Sequence, residues 1–142
     1  MGKRQREKLG NIYAIPLPDK TFAFGRLYKE RLAIAKERSD NISAFPDFKN
    51  IDFFVGVYKD VLTDGEWPIV GNMPFKDGED IWSPKTYIQD QMHPERYEIY
   101  EKGKIRKSTH EECIGLEETA VWDRNHVVDR LMGIDTWTKI CE

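Results

Sequence analysis

Cysteine and long apolar runs are both scarce in this sequence, and each scarcity excludes something. Among 142 residues there are two cysteines, Cys113 and Cys141, so no disulfide framework can be read. No window approaches the ~20 apolar residues that a membrane-spanning helix needs. The basic start, with Lys3, Arg4, Arg6 and Lys8 around Glu7, leads into Leu9, Gly10 and Asn11. No apolar stretch of signal-peptide length follows, so no export signal is read and a cytoplasmic location is expected. Glycines are scattered singly, and no glycine-rich loop that could cradle phosphates is present.

What is present is a chain of ordinary domain size with 39% apolar, 33% charged and 12% aromatic residues. That is too apolar for a disordered chain and too polar for a membrane protein. Four basic residues against one acidic give the first eight residues +3. The total is −3, so Leu9 to Glu142 carry −6. An acidic body disfavours nucleic acid as a partner and suits a basic protein surface. It is also an ordinary charge for a dispersed soluble domain. The expected organisation is a basic, disordered lead over 1–8 and a single domain over 9–142.

The N-terminal half reads as strands. Asn11 to Leu17 alternates Tyr13, Ile15 and Leu17 against Ile12 and Ala14, with Pro16 marking an edge or an end. Pro18-Asp19-Lys20 is a turn, and Thr21 to Tyr28 completes a hairpin. Gly25 inside that strand predicts a bulge or a close backbone approach. Arg31 to Lys36 reads as a short third strand, although alternation over so short a run does not exclude a helix. Ile51 to Leu62 is apolar on both faces, which predicts a central strand. Trp67 to Val70 is a further short strand. Residues 73–94 hold three prolines and read as the longest loop, and such loops tend to carry function. Its aromatic side chains, Phe75, Trp82 and Tyr87, predict that it packs down.

Arg96 to Lys107 reads as a hairpin turning at Lys102-Gly103-Lys104. After Ser108 the period changes. Thr109, His110 and Glu111 open a short helix, and Asn125 caps a second one carrying Val127, Val128, Leu131 and Met132. Trp137 and Ile140 are expected to pack back on the sheet. Strands first and helices last predict a strand-rich α+β fold. It would be a strongly bent antiparallel sheet or a small open barrel, with two short C-terminal helices.

Three constellations could carry chemistry. His110 and Cys113 lie three residues apart, on one helix face, as a nucleophile and base or as two metal ligands. Glu111, Glu112 or a distant His93 or His126 would have to complete a metal set. The plainer reading is a capped helix with one buried thiol and one exposed imidazole. Carboxylates cluster at Asp77, Glu79 and Asp80 and at Glu111, Glu112, Glu117 and Glu118. Such runs are usually solvated faces. Aromatic side chains such as Phe22, Phe24 and Tyr58 could stack bases as small barrels do, though strand-face aromatics are more often core. No catalytic residue, cofactor or metal ligand is assigned. The surface preferred for a partner is Asp77, Glu79, Asp80 and Trp82, because they share the most irregular loop.

Two blocks carry a family resemblance. The run Gly10-Asn11-Ile12-Tyr13-Ala14-Ile15-Pro16-Leu17 is followed by Phe22-Ala23-Phe24-Gly25-Arg26. Later come Glu112-Cys113, Gly115-Leu116-Glu117, Ala120-Val121-Trp122 and His126 to Leu131. In order and spacing these resemble the immunity protein 26 family, from Gly10 to about Leu131, while 39–94 shows no match by eye. The resemblance implies a non-catalytic protein that protects a bacterium by binding a polymorphic toxin domain one to one. Many such toxins are nucleases with basic clefts. No small-molecule substrate and no membrane are expected as partners, nucleic acid is disfavoured by the charge, and the resemblance supplies no toxin-contact motif. The recurring Gly25, Arg26, Leu116, Glu117, Trp122 and Arg130 are as readily structural, with a pairing of Arg26 and Glu117 as one arrangement. The alternatives are a small-barrel nucleic-acid binder and a Cys/His-dependent hydrolase.

Overall fold

A computed structural model describes residues 3–142. The chain is strand-rich α+β, as the pattern predicts, and its contacts divide it into two units. The first comprises residues up to Ser83 together with Val121–Asp135; the second comprises Pro84–Ala120 and Thr136–Glu142.

The first unit is built on six strands: β1 (Asn11–Pro16), β2 (Phe22–Leu27), β3 (Leu32–Ala35), β4 (Ile51–Val57), β5 (Ile69–Asn72) and a two-residue strand, Val121–Trp122, numbered β9 in chain order. Their order is β5-β1-β2-β3-β4-β9. All neighbours are antiparallel except β4 and β9, which run parallel. Neither this sheet nor the second one closes into a barrel.

Period-2 alternation sorts the side chains onto two faces. Ile12 opposes Arg26, Ala14 opposes Phe24, and Arg26 opposes Ala33, which opposes Phe54. One face therefore carries Ile12, Ala14, Phe24, Arg26, Ala33 and Phe54. It is covered near Ile12, Ala14 and Phe24 by Phe45 and Phe48 from the loop after β3. The other face carries Tyr13, Ala23, Gly25, Ile34 and Phe53. Burial on both faces explains why β1 and β3 are apolar without polar alternation.

Helix α1 (Lys59–Thr63) takes over where the sequence pattern extends the fourth strand to Leu62. Five residues are too few to display a helical period, so alternation there mimicked a strand. Tyr58, left at the junction, is 55% exposed. Helix α3 (Arg124–Leu131) begins after Asp123 rather than at Asn125. Its Arg130 guanidinium lies 3.9 Å from the Phe53 ring centroid, which sets α3 on the face opposite Arg26. Gly25 marks a close approach and not a bulge. A Cβ there would meet Ile34 Cδ1 at 3.0 Å, and the β1–β2 and β2–β3 registers run unbroken.

Residues 3–8 belong to this unit, and Gln5 bridges two of its segments. Its backbone N–H donates to Thr63 O, and its side-chain amide donates to Leu62 O and Trp67 O and accepts from Ile69 N.

The second unit holds β6 (Thr86–Gln89), β7 (Tyr97–Glu101) and β8 (Lys104–Ser108) in that order, with α2 (His110–Cys113). Strand β6 lies inside the stretch expected to be loop. Lys102 and Gly103, with φ of 50° and 77°, supply the two left-handed positions of a tight hairpin between β7 and β8. Thr109 caps α2 by accepting from Glu112 N. Tyr87, Ile99, Cys113 and Cys141 form the buried cluster, with Tyr97 and Leu116 against it. The chain end returns to close it: Gly115 N donates to Cys141 O and Cys141 N to Leu116 O. Trp137 and Ile140, expected to pack back on the sheet, stay about half exposed; the buried residue of that segment is Cys141. Among the described residues no helix is long and apolar enough to cross a membrane.

Candidate functional site

Arg26 is the organising residue of the preferred loop. It sits in an otherwise apolar strand and is 3% exposed. A buried guanidinium must spend its donors on partners. Nε and Nη2 donate to Met73 O at 3.0 and 2.8 Å, and Nη2 also reaches Pro74 O at 3.2 Å. Nη1 donates to Glu79 Oε2 at 2.9 Å. The guanidinium plane lies 3.9 Å from the Phe75 ring centroid. Phe75 in turn meets Tyr28 edge-on at 4.9 Å, and Tyr28 meets Phe54 the same way at 5.2 Å. One side chain of β2 thus holds both ends of the 73–79 segment.

The base of the loop is also tied from the residue that precedes β1. Met73 N donates to Gly10 O at 2.9 Å. Gly10 has φ of 86°, and a Cβ there would stand 2.6 Å from Met73 O. Only glycine serves at that approach.

The four side chains preferred from the sequence fall into distinct roles. Glu79 turns back toward the fold: Oε2 takes Arg26, and Oε1 accepts from Lys76 N at 2.9 Å. The Arg26 bond, followed by the Lys76 bond, holds its carboxyl below the ordinary glutamate range. Asp80 Oδ1 accepts from Trp82 N at 2.9 Å and shapes the exit of the loop. Trp82 is half-buried, pairs as an isolated bridge with Lys29, and has the Lys29 ammonium 5.9 Å from its ring. Asp77 is exposed at the tip beside Gly78. Asp77, Asp80 and Trp82 thus make up the solvent-facing rim of the 77–82 segment, while Glu79 turns back to hold it. Arg26 was weighed against Glu117 in the sequence; its carboxylate partner is Glu79.

Next to this rim runs an open groove of about 380 Å³. Tyr28 and Lys29, which back the loop, also line the groove, with Lys8, Leu27 and Lys59. Sequence reasoning passed over Tyr28 and Lys29, and singled out Phe75 only as an aromatic that packs the loop down, which it does against Arg26 and Tyr28. The available signal was Arg26 itself, a charge in a strand that is otherwise apolar on that face.

The other constellations resolve differently. Cys113 has no exposed surface, and its thiol faces Glu98 O and Ser108 Oγ, both at 3.9 Å. His110 is exposed, tilts on Tyr97 at 5.3 Å and bonds through Nε2 to Glu142 O. A thiol sealed in an apolar cluster is a poor nucleophile. Among the described residues no group of three His, Cys, Asp or Glu side chains is placed to hold a metal ion. Phe24, one of the aromatics that might have stacked bases, is wholly buried.

A third charged cluster lies on the same unit. Arg124 at the start of α3 donates to Asp64 Oδ2 and Glu66 Oε2, both at 2.5 Å, with Asp60 at 3.6 Å. The Arg124 bond holds the Asp64 carboxyl below its usual range. The guanidinium is 18% exposed, and the arrangement ties α3 to the turn after α1.

Compared with known proteins, residues 8–98 match the family model described as immunity protein 26. The match includes 39–94, outside the two blocks that carry the resemblance, and stops within β7, short of the second block from Glu112 to Leu131. No curated protein and no solved structure matches the chain.

Proposed function

The chain belongs to the immunity protein 26 family, and from that premise we propose that it neutralises a bacterial polymorphic toxin by one-to-one binding in the cytoplasm. It does so without catalysis, by covering the toxin's active site or an essential surface. The toxin is a nuclease with a basic cleft, and the rim of Asp77, Asp80 and Trp82 meets it.

The observation that carries the surface assignment is the buried Arg26 beneath the rim. A loop already held by four guanidinium hydrogen bonds loses little conformational freedom on docking, and that preorganisation favours affinity. Asp77 supplies charge at the tip and Trp82 an aromatic contact, a residue type common among interface anchors. The −6 of the body supports steering toward a basic partner.

The test is rescue of cells that co-express the chain with the toxin domain encoded beside it. Survival, with the two proteins purifying in equal amounts, is the expected result. Death of cells that hold soluble, folded protein would count against neutralisation. Asp77→Ala and Trp82→Ala should each weaken the complex, Trp82→Ala by about 2 kcal/mol. Unchanged affinity in both would move the interface elsewhere.

A further inference from the structure

Strand β8 has an open edge. Its inner edge pairs with β7 from Tyr97↔Ser108 to Glu101↔Lys104. Among the described residues no backbone hydrogen bond reaches β8 from any other element. The opposite edge of this sheet is different: Tyr87 N donates to Glu117 O and Thr119 N to Tyr87 O, so residues 117–119 cover β6. A sheet edge with free N–H and C=O groups is a template for another strand.

The side chains of β8 decide which strand it admits. Lys104, Arg106 and Lys107 are exposed, and no acidic residue lies between Lys102 and His110. Register places Arg106 opposite Ile99 and Lys104 opposite Glu101, on the face that carries α2, where Arg106 also donates to Glu112 at 3.2 Å. Ile105, 57% exposed, and Lys107 are on the other face. The edge thus presents cation, apolar, cation in sequence.

A second copy of this chain is a poor occupant. Two β8 edges pairing at the ~4.8 Å strand spacing would set three cations against three, and like charges opposite each other destabilise a ladder. The same charges attract a strand of opposite sign. Main-chain hydrogen bonds would supply affinity and alternate side chains specificity.

We propose that the free edge of β8 takes an extended acidic segment of a partner protein by strand addition. The segment alternates carboxylates, facing Lys104 and Arg106, with apolar side chains facing Ile105. This rests on the reading that the chain acts by binding a protein, and it adds a contact apart from the Asp77 rim.

The experiment uses the full chain and two synthetic ten-residue peptides, one alternating Glu with Val and one alternating Lys with Val. Backbone amide exchange is followed residue by residue. The Glu peptide should slow alternate amides of β8 by about tenfold or more, the Lys peptide should not, and K104E/K107E should abolish the slowing. Both replaced side chains are exposed, so the variant should keep the wild-type circular dichroism. Absence of slowing at β8 with the Glu peptide, equal slowing with the Lys peptide, or slowing that survives K104E/K107E would each overturn the proposal. The readout does not pass through the toxin. Failed rescue of cells would count against neutralisation and leave slowing at β8 in support of strand addition.

Discussion

Arg26 and Glu79 meet at 2.9 Å although 53 residues separate them, with the guanidinium side chain 4% exposed and the carboxylate 32% exposed. The pair joins a central strand to the loop between β5 and β6. Its carboxylate differs from the others of the loop in what its loss would do. Removing the carboxylate leaves a buried cation short of a partner. Removing a neighbouring rim carboxylate leaves nothing buried.

Glu79→Ala should therefore lower stability by about 2–3 kcal/mol, the cost of an unsatisfied buried charged donor. Asp77→Ala, at the exposed tip, should change stability by less than about 0.5 kcal/mol. Urea unfolding of the two variants separates them. Equal midpoints would show that Glu79 does not hold the loop.

The same pair predicts a pH dependence. The Glu79 carboxyl is lowered in the folded chain by its bonds to Arg26 and to Lys76 N. A lowered folded pKa stabilises above the unfolded value, about 4.3, and that stabilisation fades as pH falls through the folded value. The stability gap between wild type and Glu79→Gln should be full at pH 7 and shrink below about pH 4. A gap constant down to pH 2 would contradict the bond.

Gly10→Ala tests the base of the loop. The new methyl would stand 2.6 Å from a backbone carbonyl, at a φ of 86° that alanine disfavours. A loss of more than about 2 kcal/mol is expected, with chemical-shift changes reaching Met73 and Arg26. A neutral outcome would mean that β1 and residue 73 need not approach so closely.

Arg124→Ala should release α3 from the turn after α1. The exposed share of Asp60, Glu66 and Asp64 screens part of the effect, so about 1–2 kcal/mol is expected. Arg124→Lys should recover less than half of it, because an ammonium cannot bridge Asp64 and Glu66 as a planar fork does. Full recovery by lysine would reduce the cluster to simple charge.

Strands β1 to β3 were legible because each buries both faces or alternates cleanly over four or more residues, and the hairpin of β7 and β8 because its turn needs two left-handed positions. Helix α1 was not legible, since five residues cannot show a period. Strand β9 was not either: two residues pair in parallel with β4, a partner more than sixty positions away. The placement of the candidate residues was legible in part. Irregularity and charge pointed to 73–82, yet sequence cannot tell an outward carboxylate from one folded back, so Asp77 and Glu79 looked alike.

Composition and alternation by themselves determined a strand-rich α+β chain, with an acidic body and an irregular loop. Those properties are set by neighbours along the backbone and by counts of residue types. Tertiary structure alone decided that Arg26 takes Glu79, that Gln5 ties the start of the chain to α1 and β5, and that β8 keeps an open edge. Each of these joins groups distant in sequence, or depends on which groups fail to meet, and only the folded chain determines that.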